Sequence, residues 1–134
     1  MSESIQPRSQ DINMDGVVSE SESLCGQAEQ YAEQLATQLR KGFLAYCVLK
    51  VCMPEPKYTS DIIAKLRDAE MVVVEGTIYP LLSRLQEDGL LMHEWQESEQ
   101  GPPRKYYKTT GYGEEVAKYV TAKIADLNKT LEKL

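Results

Sequence analysis

The side chains most able to do chemistry in this chain fall in two clusters. One is the run RKYYK, where Arg104, Lys105 and Lys108 interleave with Tyr106 and Tyr107. In a β-strand, Arg104, Tyr106 and Lys108 face one way and Lys105 and Tyr107 the other, so one face offers cations to phosphate while a tyrosine on the other packs inward. The plainer alternative is a solvated hairpin with ordinary surface charge. The second cluster lies in EGTIYPLLSRLQEDG, where Thr77, Tyr79, Pro80, Ser83 and Arg84 stand opposite the apolar positions Ile78, Leu81, Leu82 and Leu85. There Arg84 has the geometry to clamp a guanine edge or a phosphate, and Thr77 or Tyr79 to donate to phosphates. Glu75 suits a cytosine amine but repels phosphate, and an acid there ordinarily complements the helix dipole.

Other chemistry finds little footing. His93 is the single histidine of the chain, which excludes a site built on several histidines, and beside Trp95 it reads as structural, with Trp95 expected in the core. There is no Gly-rich phosphate loop, G-x-S-x-G or H-E-x-x-H. The sequence thus points away from an enzyme, a cofactor or a resident metal. Cys25, Cys47 and Cys52 lack metal-type spacing and read as buried or free thiols in a reducing cytoplasm. No apolar run approaches the ~20 residues of a membrane span, and the N-terminus lacks a secretory pattern; a cytoplasmic location is expected.

The net charge of −6 is unevenly placed. Glu3, Asp11, Asp15, Glu20, Glu22, Glu29 and Glu33 face only Arg8 within residues 1–38, so the whole excess lies there and the remainder is neutral. That balance neither supports nor excludes nucleic acid; a local basic patch decides.

The elements needed to position these clusters follow from periodicity. Residues 1–21 are polar, acidic and aperiodic, and are expected to be a disordered leader. Leu24, Ala28, Tyr31, Leu35 and Leu39 recur at helical spacing after Ser23, an available N-cap, giving an N-terminal helix over 22–38. Gly42 marks an expected break, and a second helix carrying Phe43, Leu44, Cys47, Val48 and Val51 ends at the prolines of MPEP. Thr59 or Ser60 caps a short helix bearing Ile62, Ile63 and Leu66, and the EGTIYP helix follows after EMVVV, which is helix-turn-helix order. LLMHEWQE and RKYYKTT then read as a β-hairpin with a Gly-Pro-Pro tip. A last helix carries Val116, Val120, Leu127, Leu131 and Leu134, flanked by Tyr119 and Ile124. The fold class is mainly α with a small β-hairpin wing: a winged helix-turn-helix over 39–110, with the last helix in 111–134. In that class the third helix enters the major groove and the wing straddles the backbone.

Two segments carry a family resemblance. EGTIYPLLSRLQEDGLL and ESEQGPPRKYYKTTGYGEE, in this order and separation, closely resemble the motifs of the PadR transcriptional regulators, over roughly residues 39–118. The resemblance implies a homodimeric winged-helix protein, usually a repressor, binding a roughly palindromic double-stranded operator. It further implies dimerisation through the C-terminal helix, which fits the Val116, Val120, Ile124, Leu127 and Leu131 stripe; Leu24, Tyr31 and Leu35 are expected to pack against the partner's copy of that helix, the alternative being that they pack on their own subunit. A small hydrophobic or aromatic effector near the dimer interface is also implied, with Tyr31, Tyr46 and Tyr119 as lining residues or plain packing. The recognition helix is expected at 75–88 and the wing at 98–105, with Tyr58, Thr59, Ser60, Gly76, Thr77, Tyr79, Pro80, Ser83, Arg84, Arg104 and Lys105 expected to face DNA.

The departures are specific. Thr59, Ser60, Asp61 and Ile62 replace a common glycine–aromatic pair, with Tyr58 just before them. Val74 replaces a natural N-cap, and Thr109 replaces a leucine, expected as a surface change. Pro80 has two readings: the third residue of a helix capped by Thr77, or an interior residue of one starting near Glu75, where Gly76 lets the backbone approach DNA. The competing functional class is a winged helix that binds proteins and never touches DNA, to which the acidic leader lends weight.

Overall fold

The computed structural model describes residues 20–134, with side chains from residue 23 onward. The leader expectation therefore lies outside the described residues, except that residues 20 and 21 already belong to the first helix. The chain divides into two units, Met1–Lys41 and Gly42–Leu134.

The first helix, α1, runs unbroken over Glu20–Val51. Ser23 is thus inside the helix rather than its cap, and Gly42 does not interrupt it. A mid-helix glycine costs about 1 kcal/mol relative to alanine, which the surrounding Leu, Ala, Gln, Glu, Lys and Arg residues readily carry. In the first unit Arg40 pairs with Glu33 at 2.7 Å. Tyr31, Leu35 and Leu39 are exposed there, and Leu24 is half-buried.

The second unit holds the core. Leu44, Val48, Leu49 and Cys52 of α1 meet Ile62, Ile63 and Leu66 of α2 (Thr59–Asp68). Ile78, Leu81, Leu82 and Leu85 of α3 (Glu75–Glu87) complete the helical part. Leu91 of β2 (Leu91–Ser98) and Tyr107 of β3 (Gly101–Thr109) close it from the sheet, and Ala117 of α4 (Gly111–Lys133) from the C-terminal helix.

The α2–α3 linkage depends on how each helix stops. In α2 the N–H of Glu70 donates to the Arg67 carbonyl and that of Met71 to Leu66, both at 2.8 Å, with Glu70 at φ 65°. In α3 the N–H of Gly89 donates to Gln86 and that of Leu90 to Leu85, with Gly89 at φ 80°. Both are Schellman stops needing a left-handed residue just past the helix; α3 has glycine there and α2 does not.

The sheet has three antiparallel strands in the order β1-β3-β2. The extra strand, β1 (Lys57–Tyr58), arises because Pro54 and Pro56 end α1 and leave two extended residues to pair with Tyr107 and Tyr106. The hairpin turns on Glu99 and Gln100, between Ser98 and Gly101, so the Gly-Pro-Pro segment lies in β3 rather than at the tip. The register slips between Gln96 and Ser98, opposite Pro102 and Pro103, which have no N–H to give to the ladder.

Thr109 corrects the expectation of a surface change: it is 3% exposed. Its hydroxyl donates to the Leu49 carbonyl at 2.7 Å and its N–H to the Cys52 carbonyl at 3.1 Å, tying β3 to the end of α1. Thr110 caps α4 by accepting from the Gly113 N–H. Gly113 is required by space, since a Cβ there would meet the Leu90 carbonyl.

Candidate nucleic-acid interface

The apolar side of α3 leaves the opposite side free. Thr77, Tyr79, Pro80, Ser83 and Arg84 are all exposed, while Ile78, Leu81, Leu82 and Leu85 are buried. The helix starts at Glu75, with Val74 as a cap that offers no side-chain bond. Of the two readings of Pro80, the interior position is therefore the one adopted: the ring removes the donor that would have met the Gly76 carbonyl. Nothing lies within 4 Å of a Cβ built on Gly76, so the first turn stands open on that side.

The wing holds its cations against rings. The Arg104 guanidinium lies 4.9 Å from the Tyr58 ring centre, and that ring is 5.7 Å from Tyr106. Lys105 reaches over Tyr107 at 5.6 Å. Tyr107 is 6% exposed, and burial raises its phenol above the ordinary range. Among the described residues, Arg84, Arg104 and Lys105 take part in no salt bridge, so their charges remain available. Lys108 does not belong with them. Its ammonium donates to the Met53 carbonyl at 2.6 Å and sits 3.9 Å from Glu114, finishing the end of α1.

A cleft of about 370 Å³ brings the start of α2, the first turns of α3 and the wing together. Of the expected DNA-facing residues, Tyr58, Thr59, Tyr79, Arg104 and Lys105 line it. Ser60, Gly76, Thr77, Pro80, Ser83 and Arg84 lie outside it but are exposed. Thr59 differs in kind: at 4% exposure it is a packing residue, because it directly follows β1 where α2 joins the sheet. The N–H of Tyr58 donates to the Asp61 carboxylate at 3.3 Å, so the N-terminal cap of α2 is supplied from within the helix and not by Thr59 or Ser60.

Trp95 corrects a second expectation. It is 63% exposed, lies edge-on to His93 at 5.9 Å, and lines the same cleft. Its distance along β2 from the buried Leu91 was the available signal that it lies beyond the core. His93 itself is engaged through Nδ1 with the Gln86 amide at 2.8 Å.

The thiols are separate from this surface. Cys25 is exposed, while Cys52 is buried and pushed up to about 12 by desolvation, against the lowering influence of Lys57 and Lys108. Burial also raises Cys47. Among the described residues no group of three or more His, Cys, Asp or Glu side chains is placed to hold a metal ion, and no helix is long and apolar enough to cross a membrane.

The family model of the PadR-like transcriptional regulators matches residues 48–119. No curated protein matches the chain. Among solved structures, a PadR-like transcription factor from Bacteroides fragilis is 52% identical, covering 75% of this chain and 97% of its own, at a TM-score of 0.66. A PadR family transcriptional regulator from Eggerthella lenta is 32% identical, covering 80% and 94%, at 0.71. A PadR-like transcriptional regulator from Bacillus cereus is 32% identical, covering 72% and 94%, at 0.63. With more than half its length matched by the family model and a 52% identical relative covered almost end to end, this chain belongs to the PadR-like family of transcriptional regulators.

Proposed function

We propose that the protein is a DNA-binding repressor that grips a roughly palindromic operator as a homodimer. In this reading α3 enters the major groove through Thr77, Tyr79, Ser83 and Arg84, and the wing lays Arg104 and Lys105 on the flanking backbone. The observation that carries it is the convergence of Tyr79 of α3 with Arg104 and Lys105 of the wing around one cleft. These groups fit a ligand that presents base edges and phosphates side by side.

The dimer is supported by apolar surface on α4. Leu127 is 62% exposed and Leu131 69%, while Val116, Val120 and Ile124 on the same stripe are half-buried. A small hydrophobic or aromatic effector, bound near that interface and releasing the DNA, completes the proposal; Tyr119 is exposed on α4, whereas Tyr46 is engaged with Thr121 at 2.7 Å.

Salt-titrated mobility shifts of the full chain against fragments of its own genome test the reading. Sequence-preferring retardation that weakens steeply with salt is expected. No retardation at low salt overturns it and leaves a protein-binding winged helix.

A further inference from the structure

Two rows of the wing begin in the core and run out of it. Along β2 the row is Leu91, His93 and Trp95; along β3 it is Thr109, Tyr107 and Lys105. Residues two apart share a face of the sheet, and the register pairs His93 with Tyr107 and Trp95 with Lys105, so the two rows form one face. Leu91 and Thr109 are buried, His93 is half-buried, and Trp95 is exposed. The core-facing side thus continues past the end of the core, where its next layer is a tryptophan with a lysine opposite it.

That layer faces the cleft between α3 and the wing. Its lining also includes Tyr79 of α3, together with Pro102 and Pro103. Tryptophan and tyrosine rings with two prolines offer an apolar surface, and Lys105 beside them offers a cation. A phosphate alone would not need the rings, and an apolar peptide would not need the charge. Deoxyribose with its attached phosphate needs both: the sugar's carbon face covers the ring and the phosphate oxygen meets the ammonium.

We propose that Trp95 is a DNA-contacting residue of the wing, packing its indole on a backbone sugar whose phosphate is held by Lys105. The inference rests on the DNA-binding reading above and adds an apolar contact to it. The contact is independent of base identity, so it belongs to the affinity of the regulator for any duplex.

Trp95 is the sole tryptophan of the chain, so its fluorescence reports this site alone. The experiment titrates the full-length protein with a mixed-sequence DNA duplex at low salt and measures quenching by acrylamide, a neutral probe that the phosphates do not repel. DNA is expected to shield the indole. In parallel, Trp95→Ala should bind that duplex about tenfold more weakly with an unchanged slope of log K against log salt, because an apolar contact releases no counterion. Trp95→Phe should retain most of the affinity. Because the side chain is largely exposed, both variants should keep the wild-type thermal midpoint. Equal quenching with and without bound DNA, or Trp95→Ala affinity within twofold of wild type, overturns the proposal while leaving DNA binding intact. Absence of any DNA binding by the wild-type chain overturns the reading beneath it.

Discussion

Arg104 and Lys105 are neighbours in sequence, yet each leans on a different tyrosine, because successive strand residues point to opposite faces. Arg104→Ala and Lys105→Ala should each flatten the log K against log salt slope by roughly one unit, as expected for one phosphate lost. Tyr58 positions Arg104 through its ring, so Tyr58→Ala should lower affinity toward that of Arg104→Ala, while Tyr58→Phe, which keeps the ring, should not; binding titrations across salt concentrations read both. Cys52 gives a pH dependence of opposite sense to the usual carboxylate case. Burial raises its folded pKa from 9.0 to about 12, so below 9.0 both states hold the proton. Between 9.0 and about 12 the unfolded thiol ionises while the folded one does not, and stability falls as pH rises through that window. Denaturant midpoints measured across that range should decline in the wild type, and the part due to Cys52 should vanish in Cys52→Ala. The exposed Cys25 should alkylate freely while Cys52 reacts only on unfolding.

At the scale of the element, α2 and α3 form a matched comparison. Both end in the same pair of backbone bonds, but Glu70 occupies the left-handed position that Gly89 fills in α3. A side chain in that conformation costs roughly 1–2 kcal/mol. Glu70→Gly should therefore stabilise the protein by about 1 kcal/mol, less the extra entropy glycine brings to the unfolded chain. Gly89→Ala should destabilise it by a similar amount; equilibrium denaturation of the two variants checks both signs. The helix-turn-helix order and the apolar faces of α2 and α3 were legible from spacing alone, since helical periodicity is written locally. The wing register was not. The turn lies at Glu99–Gln100 because Pro102 and Pro103 are accommodated as an irregularity inside β3, and strand pairing is a property of two segments together. The short strand β1 was hidden for the same reason: two residues have no periodicity to read.

For the whole molecule, the exposed leucines of α4 carry the prediction. Burying a leucine removes about 1.5–3 kcal/mol of exposure cost, and Leu127 and Leu131 in one chain leave that unrealised. If the protein is the homodimer proposed above, Leu127→Asp together with Leu131→Asp should sediment as a monomer where the wild-type chain sediments as a dimer. Operator affinity should fall by orders of magnitude as the two half-sites become independent, while the thermal unfolding of the winged-helix unit changes little. The dimer reading fails if the wild-type chain sediments as a monomer at micromolar concentration.

The family is written in EGTIYPLLSRLQEDGLL and ESEQGPPRKYYKTTGYGEE, and with it come the winged-helix class and the split of α3 into an apolar and an open side. These are local patterns, in which a residue's neighbours in sequence are its neighbours in space. Tertiary structure alone decided which residues share the candidate site. It withdrew Lys108, drawn to the end of α1, and turned Thr59 inward; it buried Thr109 and exposed Trp95. In each case the deciding contact, or its absence, depends on how far the core extends along a strand and what lies across from it. That is fixed by packing between distant segments, which no spacing along the chain records.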